Sequence, residues 1–366
     1  MSQDGARSLS TDPSRASTGG RSTRTLRDVH PDLAAVAARR LGVFTAGEAV
    51  RAGYRPDEIR AELGSGRWRW LRRGVYICAA DLESTAGDAR ARHVLDCLAV
   101  LASLRPGPVV SHASAARLHG VVVPADVDDT VRLTDEVQWR RGRGYAVSRA
   151  ALPTGDVGRL GPALTTTPAR TLVDCAREWD LVDSVVAMDA ALRKGAVTSE
   201  ELREAVLRAT HWVGIGEAAR ASGLADGRAE SPLESRGRLA LLAAGLPCPE
   251  LQVELHGPRG FVARVDAWYE DAAVAVEFDG RVKYLDPFDG RGAGEVLWRE
   301  KRREDVVRGL GVRVVRLAQE DVVPRLRPDV AARVAALLAD PPAGVRHFHT
   351  VRRQGLAVED HADAGR

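Results

Sequence analysis

The chain has 366 residues, with 53 Lys and Arg against 50 Asp and Glu, so its formal net charge is +3. Hydrophobic residues make up 45% and charged residues 28%, which excludes wholesale disorder and a fibrous repeat. At roughly 100–200 residues per domain, this length predicts two or three domains. No apolar stretch approaches the ~18 residues that span a bilayer, and the N-terminus carries no secretory signal. We therefore predict a cytoplasmic protein with no membrane partner.

Residues 1–29 are rich in Ser, Thr, Gly and Arg and have almost no large apolar side chains, which predicts a disordered tail. The composition of residues 341–366 is similar, and we predict a second flexible tail there. Basic residues are concentrated near the N-terminus, since residues 1–80 hold 14 Arg and only 8 Asp and Glu. Such an asymmetry is typical of a nucleic-acid contact, although a solvated basic surface gives the same count.

Residues 30–80 contain the pattern of three short helices followed by a hairpin. Apolar residues keep helical spacing from Leu33 to Leu41, and Thr45 with Glu48 forms a capping box for a second helix. A third helix follows from Pro56 to Leu63, and two short strands from Trp68 to Ile77 flank an Arg-Arg-Gly turn. This order predicts a winged helix-turn-helix.

The hairpin of this unit is the candidate DNA-binding element, since it holds four cations: Arg67, Arg69, Arg72 and Arg73. A wing with this charge lies along phosphates or enters a minor groove. The alternative is a hairpin that packs on its own domain through Trp68 and Trp70, with its arginines solvated.

Residues 81–222 alternate helical and strand patterns, which predicts a mixed α/β middle region. We find no catalytic constellation here. His112 and His119 are seven residues apart on one helical face, but no partner keeps metal-ligand spacing with them. The small and polar segment 221–229 is predicted to be a linker to the last domain.

Residues 230–340 hold the residues that carry chemistry. Ser231 and Glu234 form a capping box for a helix that ends near Ala244, and three strands, a charged helix and a final strand follow. Strand alternation places Glu277 between Val276 and Phe278, in an otherwise apolar strand, where a carboxylate is costly unless it is paired or binds a metal. If the hairpin register aligns Asp266 with Glu277, the two carboxylates supply oxygen ligands for Mg²⁺ or Mn²⁺.

The order Asp266, Glu277-Phe-Asp279-Gly280 and Lys283 resembles the PD-(D/E)XK nuclease superfamily, in particular its branch related to very-short-patch-repair endonucleases. The resemblance continues over about 100 residues with Glu300 and Arg303 on a helix, then Gly311 and the Val314–Arg316 strand. It implies a restriction-endonuclease-like fold and a divalent-metal-dependent endonuclease. Asp266 and Glu277 would hold the metal, Glu234 would join them, and Lys283 would stabilise the transition state. Asp279, Glu300 and Arg303 would support them.

Two positions depart from that family pattern. The superfamily lysine normally stands two residues after the acid, where this chain has Asp279, and Lys283 occupies the position of the branch's histidine. Lys283 is one of only three lysines in the chain, and its retention among arginines favours a specific role. The alternatives are a surface cation at Lys283, a purely capping Glu234, and a solvated helix face around Arg303.

The N-terminal half resembles AbiEi-type antitoxin regulators, on the segments RRLGVFTAGEAVRAG, GRWRWLRRGVY, VSHASAARLHG and TTTPARTLVD. That resemblance covers about 31–190 and implies a winged-helix protein that binds the promoter of a toxin–antitoxin operon. Together the two halves predict an α/β multidomain DNA-binding protein with an endonuclease domain, which could form a homo-oligomer. The alternative is a non-catalytic transcriptional regulator or antitoxin of a type IV toxin–antitoxin system, with a degenerate nuclease domain.

Overall fold

The computed structural model describes residues 29–279, 302–323, 325–342 and 346–352. The chain divides into two compact units, 1–95 and 96–366, and the division falls within one helix, α5 (Ala89–Ser103). Over these residues the fold is mixed α/β and contains three separate sheets. Within the described ranges, no helix is long and apolar enough to cross a membrane.

The first unit contains the helices and the hairpin predicted from the sequence. Its elements are α1 (Pro31–Ala38), β1 (Phe44–Thr45), α2 (Ala46–Arg51), α3 (Pro56–Gly64), β2 (Trp68–Arg72), β3 (Val75–Cys78) and α4 (Ala79–Glu83). Helix α2 begins with the predicted capping box of Thr45 and Glu48. The strands form an antiparallel sheet in the order β1-β3-β2, and Leu33, Phe44 and Trp68 lie in the core beneath it.

The second unit begins with a six-stranded sheet in the order β6-β7-β5-β4-β9-β8. Its strands are β4 (Val109–Val110), β5 (Val131–Asp135), β6 (Arg140–Gly142), β7 (Tyr145–Arg149), β8 (Val157–Leu160) and β9 (Ala163–Thr166). The accompanying helices are α6 (His112–His119), α7 (Pro168–Ala176), α8 (Leu181–Arg193), α9 (Ser199–Arg208) and α10 (Ile215–Leu224).

A five-stranded mixed sheet follows, in the order β13-β12-β11-β10-β14. Its elements are α11 (Pro232–Ala243), β10 (Glu250–Gly257), β11 (Gly260–Tyr269), β12 (Val274–Asp279), a helix α12 that covers 302–309, β13 (Arg313–Ala318), α13 (Gln319–Val322), α14 (Pro328–Ala339) and β14 (His349–Arg352). Strands β12 and β13 are parallel, and the other neighbours are antiparallel. Alternation along β12 agrees with the sequence: Val274, Val276 and Phe278 lie in one core cluster and Ala275 in another.

The structure corrects the predicted linker at 221–229. Ala221 lies in α10 and Ala229 is also buried. The backbone N–H of Asp226 donates to Asp189 Oδ1 at 2.6 Å, and Arg238 Nη2 donates to Asp189 Oδ2 at 3.0 Å. This buried ion pair joins α8, the connection and α11, so 96–366 forms one compact unit rather than two joined by a flexible segment.

The predicted flexible tail 341–366 is also corrected in part. Residues His349–Arg352 form β14, which pairs with the edge of β10. Arg352 forms an ion pair with Glu250, and the Phe348 ring contacts Trp268 at 5.9 Å between centroids. The edge of a strand such as β10 offers a row of backbone hydrogen-bond donors and acceptors, and β14 pairs with them. This pairing uses the backbone, so it forms although the composition of the segment is polar.

Candidate functional site

Strand register brings Asp266 beside Glu277. Strands β11 and β12 pair antiparallel, with Ala267 opposite Val276 and Trp268 opposite Ala275. Asp266 and Glu277 are the next residues outward on the two strands. Asp266 Oδ2 accepts a hydrogen bond of 2.9 Å from the backbone N–H of Phe278. At this end of the two strands, a side chain of β11 therefore binds the backbone of β12.

Glu234 reaches the same region from α11. The helix lies so close against β12 that a Cβ added at Gly237 would come within 2.0 Å of the Phe278 ring. Glu234 is buried, and its Oε1 accepts from Ser231 Oγ at 2.9 Å. Its Oε2 accepts from the backbone N–H of Glu230 at 2.7 Å, one residue before the N-cap, so the predicted capping role is present in altered form.

Gln252 connects Glu234 to the strand that carries Asp266, and sequence reasoning missed it. Its Nε2 donates to Glu234 Oε2 at 2.9 Å. The register of β10 and β11 pairs Leu251 with Ala267 and Val253 with Val265, so Gln252 stands opposite Asp266. Its φ is +55°, a left-handed conformation that non-glycine residues adopt at a cost. Strand β10 alternates polar and apolar residues, and Gln252 stands at one of the polar positions, so the pattern did not single it out.

The electrostatics of Glu234 differ from those of an ordinary helix cap. Burial raises the pKa of the Glu234 carboxyl, and the neighbouring negative charge of Asp266 raises it further. Hydrogen bonds from Glu230 N–H, Ser231 and Gln252 act in the opposite direction. The Glu234 carboxyl is therefore partly desolvated and within electrostatic reach of Asp266.

Glu277 forms an ion-pair cluster with two arginines. Arg303 Nη2, on α12, donates to Glu277 Oε1 at 2.9 Å, and Arg316 Nε lies 3.5 Å from Glu277 Oε2. Arg316 stands opposite Glu277 in the parallel register of β12 and β13, and it also forms an ion pair with Glu304 at 2.9 Å. Arg303 further donates to the carbonyl oxygen of Arg264 at 3.3 Å. The three residues that the nuclease resemblance singled out on separate elements therefore come together.

The remaining predicted site residues divide into two groups. Asp279 ends β12, opposite Ala318 in the parallel register, and is half-buried. Lys283 and Glu300 lie outside the described residues. Within the described ranges, no three His, Cys, Asp or Glu side chains are grouped so that they could hold a metal ion.

The four arginines of the β2–β3 hairpin are not equivalent. Arg67 forms a two-pronged ion pair with Glu62, through Nε at 2.6 Å and Nη2 at 2.8 Å. Arg69 and Arg73 are exposed, and Arg72 is half-buried. Trp68 is buried in the core, whereas Trp70 is 63% exposed and contacts the Tyr76 ring edge-on at 6.1 Å between centroids, so the two tryptophans pack on this unit to different extents.

Comparison with known proteins finds similar sequences and a similar structure, but their descriptions name no activity. No protein-family model matches the chain. Two curated sequences, both described as uncharacterised proteins of Mycobacterium tuberculosis, are 35% identical over 178 residues. The match covers 48% of this chain and 62% of each relative. A crystal structure of the RV2827C protein from the same organism covers 64% of this chain and 86% of its own, with 15% identity and a TM-score of 0.38.

Proposed function

We propose that the protein binds DNA and hydrolyses phosphodiester bonds in a divalent-metal-dependent reaction. The observation that carries the proposal is the convergence of Glu234 and Asp266, with strained Gln252 between α11 and β11. Two partly desolvated carboxylates repel each other, and a cation relieves that repulsion. Strained backbone at such a place is common in functional sites.

The donor set fits a hard divalent cation. Carboxylate oxygens are the ligands that Mg²⁺ prefers, and it keeps several waters when one or two carboxylates bind it. Glu234 and Asp266 would hold the ion, which when bound would supply a polarised water and neutralise charge on the phosphate. Glu277 would hold Arg303 and Arg316 beside this position, where their guanidinium groups suit phosphate geometry.

The first unit supports DNA recognition. Three short helices and an antiparallel hairpin are the parts of a winged helix-turn-helix, and Arg69, Arg72 and Arg73 place cations on that hairpin. The AbiEi-type resemblance makes the promoter of a toxin–antitoxin operon the first DNA to test.

A cleavage assay with a matched pair of variants tests the nuclease proposal. The full chain is incubated with duplex, single-stranded and mismatched DNA in Mg²⁺ or Mn²⁺. Asp266→Asn removes the charge but keeps a side-chain oxygen for the N–H of Phe278, so the fold should persist while cleavage is lost. Glu254→Gln removes a carboxylate from the neighbouring strand β10 and should cleave normally. Equal cleavage by Asp266→Asn and the wild type would overturn the assignment.

A second candidate function is a non-catalytic regulator with a degenerate nuclease domain. The ion pairs of Glu277 with Arg303 and Arg316 favour it, because the nuclease resemblance makes Glu277 a metal ligand and a carboxylate already neutralised by two cations gains less from a metal. This candidate predicts tight promoter binding, repression of the operon, and no cleavage with any divalent metal. Metal-dependent cleavage that Asp266→Asn abolishes would exclude it.

A further inference from the structure

The β6–β7 hairpin of the second unit presents a run of exposed basic and aromatic residues. All six residues from Trp139 to Gly144 are exposed, and three of them are arginines: Arg140, Arg141 and Arg143. Trp139 is 70% exposed, although tryptophan is usually among the more buried residues. Among the described strands, β6 is the edge of its sheet and pairs on one side only, with β7.

The hairpin is held in shape by its own packing. Gly142 pairs with Tyr145, which leaves Arg143 and Gly144 as a two-residue turn with φ +72° at the glycine. A Cβ added at Gly142 would come within 2.2 Å of the Tyr145 ring, so only glycine fits there. The guanidinium of Arg140 lies over the same ring, 5.9 Å from its centroid. The arginines therefore project from a fixed scaffold.

The acidic residues that precede the hairpin are engaged by backbone donors. Asp135 Oδ1 accepts from the N–H groups of Val137 and Gln138 at 2.8 and 3.0 Å. Glu136 Oε1 accepts from the N–H of Leu152 at 3.0 Å. Backbone N–H groups of the protein therefore orient both carboxylates. The hairpin itself places three exposed arginines within four residues: Arg140, Arg141 and Arg143.

The β2–β3 hairpin of the first unit has the same construction. Both contain a tryptophan six residues before a tyrosine: Trp70 with Tyr76, and Trp139 with Tyr145. Both turn on Arg-Gly, with φ +74° at Gly74 and +72° at Gly144. In both, the tryptophan is more than half exposed. The described part of the chain thus contains two tryptophan–arginine hairpins, of which sequence reasoning assigned only the first to DNA.

We propose that the β6–β7 hairpin is a second DNA-contacting element, which binds the phosphate backbone through its arginines and packs Trp139 against a sugar or base. This inference rests on the proposed DNA-binding function. Arginine guanidinium groups match phosphate oxygens in geometry and charge, and an aromatic side chain stacks on bases without sequence preference. The exposed arginines of the edge strand would bind a polyanion, and the exposed indole beside them would bind a flat apolar surface. DNA offers both features, whereas an acidic protein surface offers only the negative charge.

The test is salt-dependent DNA binding by the full chain. Arg141→Ala and Arg143→Ala should each lower affinity several-fold and reduce the slope of log K against log salt by about 0.9 for each phosphate that the variant no longer neutralises. Trp139→Ala should weaken binding, and Trp139→Phe should restore most of it. Arg220→Ala, which removes one exposed arginine from α10, is the matched control and should keep the wild-type slope. Since these side chains are exposed, the melting temperatures should match the wild type.

The outcomes separate this inference from the proposed function. If Arg73→Ala weakens DNA binding while the Arg141, Arg143 and Trp139 variants bind like the wild type, the second element is excluded and the DNA-binding function stands. If those variants lose binding only to vesicles that contain phosphatidylserine, the hairpin contacts a membrane and the inference is overturned. If the wild type binds no DNA at physiological salt, the proposed function and this inference fall together.

Discussion

Arg303 on α12 donates from Nη2 to Glu277 Oε1 on β12 at 2.9 Å, and this contact decides what Glu277 can do. The sequence placed a lone carboxylate between Val276 and Phe278 and left open whether a metal or a cation compensates it. Arginines compensate it here, from both α12 and β13. Glu277 therefore contributes to packing between two elements as well as to any reaction at the neighbouring carboxylates.

Glu277→Gln should lower the free energy of unfolding by about 1 kcal/mol, because it leaves Arg303 and Arg316 with a weaker, neutral acceptor. The loss is small because both arginines are partly exposed and solvent already screens the ion pairs. Glu304→Gln also removes a carboxylate from Arg316 and should cost a similar amount. Urea unfolding measures both. Cleavage lost in Glu277→Gln but kept in Glu304→Gln assigns Glu277 to the reaction; loss in both would show a structural role only.

Arg73→Ala should weaken DNA binding and reduce the salt slope by about 0.9, because an exposed arginine at the hairpin tip no longer neutralises one phosphate. Arg67→Ala should change the slope little, since Glu62 already holds that guanidinium. Binding isotherms at several salt concentrations compare the two. A larger effect at Arg67 than at Arg73 would show that the ion pair opens on DNA and that the tip faces away.

Gly237→Ala should destabilise the protein by about 1–3 kcal/mol, because the added methyl group overlaps the Phe278 ring where α11 crosses β12. Gly223→Ala, near the end of α10, where the new methyl group meets nothing within 4 Å beyond the adjoining backbone of its own helix, should instead stabilise it by about 0.5 kcal/mol. Thermal unfolding separates the two signs. A neutral Gly237→Ala would contradict the close approach that positions Glu234.

The stability of the protein should fall on acidification below about pH 6.5 because of His112. Burial lowers the pKa of His112, against the opposing charges of Asp174 and Glu178. The unfolded chain therefore binds a proton at higher pH than the folded chain, so the free energy of unfolding decreases as pH falls, by at most about 1.4 kcal/mol per pH unit. Carboxyl groups whose pKa is lowered in the folded protein, such as Glu178, reduce the free energy of unfolding only when the pH falls below about 4.5.

His112→Asn isolates this contribution. Asparagine tolerates the left-handed backbone of this residue, where φ is +49°. Chemical unfolding at pH 7.5, 6.5, 5.5 and 5.0 should show a flatter profile for the variant than for the wild type. A wild-type profile with the same slope as His112→Asn between pH 6.5 and 5.0 would assign the acid sensitivity to other groups.

Local patterns in the sequence were sufficient to place most elements. The capping box at Thr45, the turn around Gly74 and the alternation along β12 depend on neighbouring residues alone, and the structure contains all three. The convergence of Asp266 with Glu277 was also accessible, because antiparallel register across a short turn is set by the number of residues between the strands.

Contacts between distant segments could be known only from the tertiary structure. Gln252 reaches Glu234 across 18 residues, Arg303 reaches Glu277 across 26, and β14 joins the sheet from a segment of polar composition. The segment 221–229 looked like a linker by composition, yet its Asp226 backbone N–H donates to buried Asp189, which also pairs with Arg238. Local sequence determines helices, strands and turns because their hydrogen bonds and periodicity are local. Which charges neutralise each other depends on which elements pack together, and that is decided by burial over the whole unit.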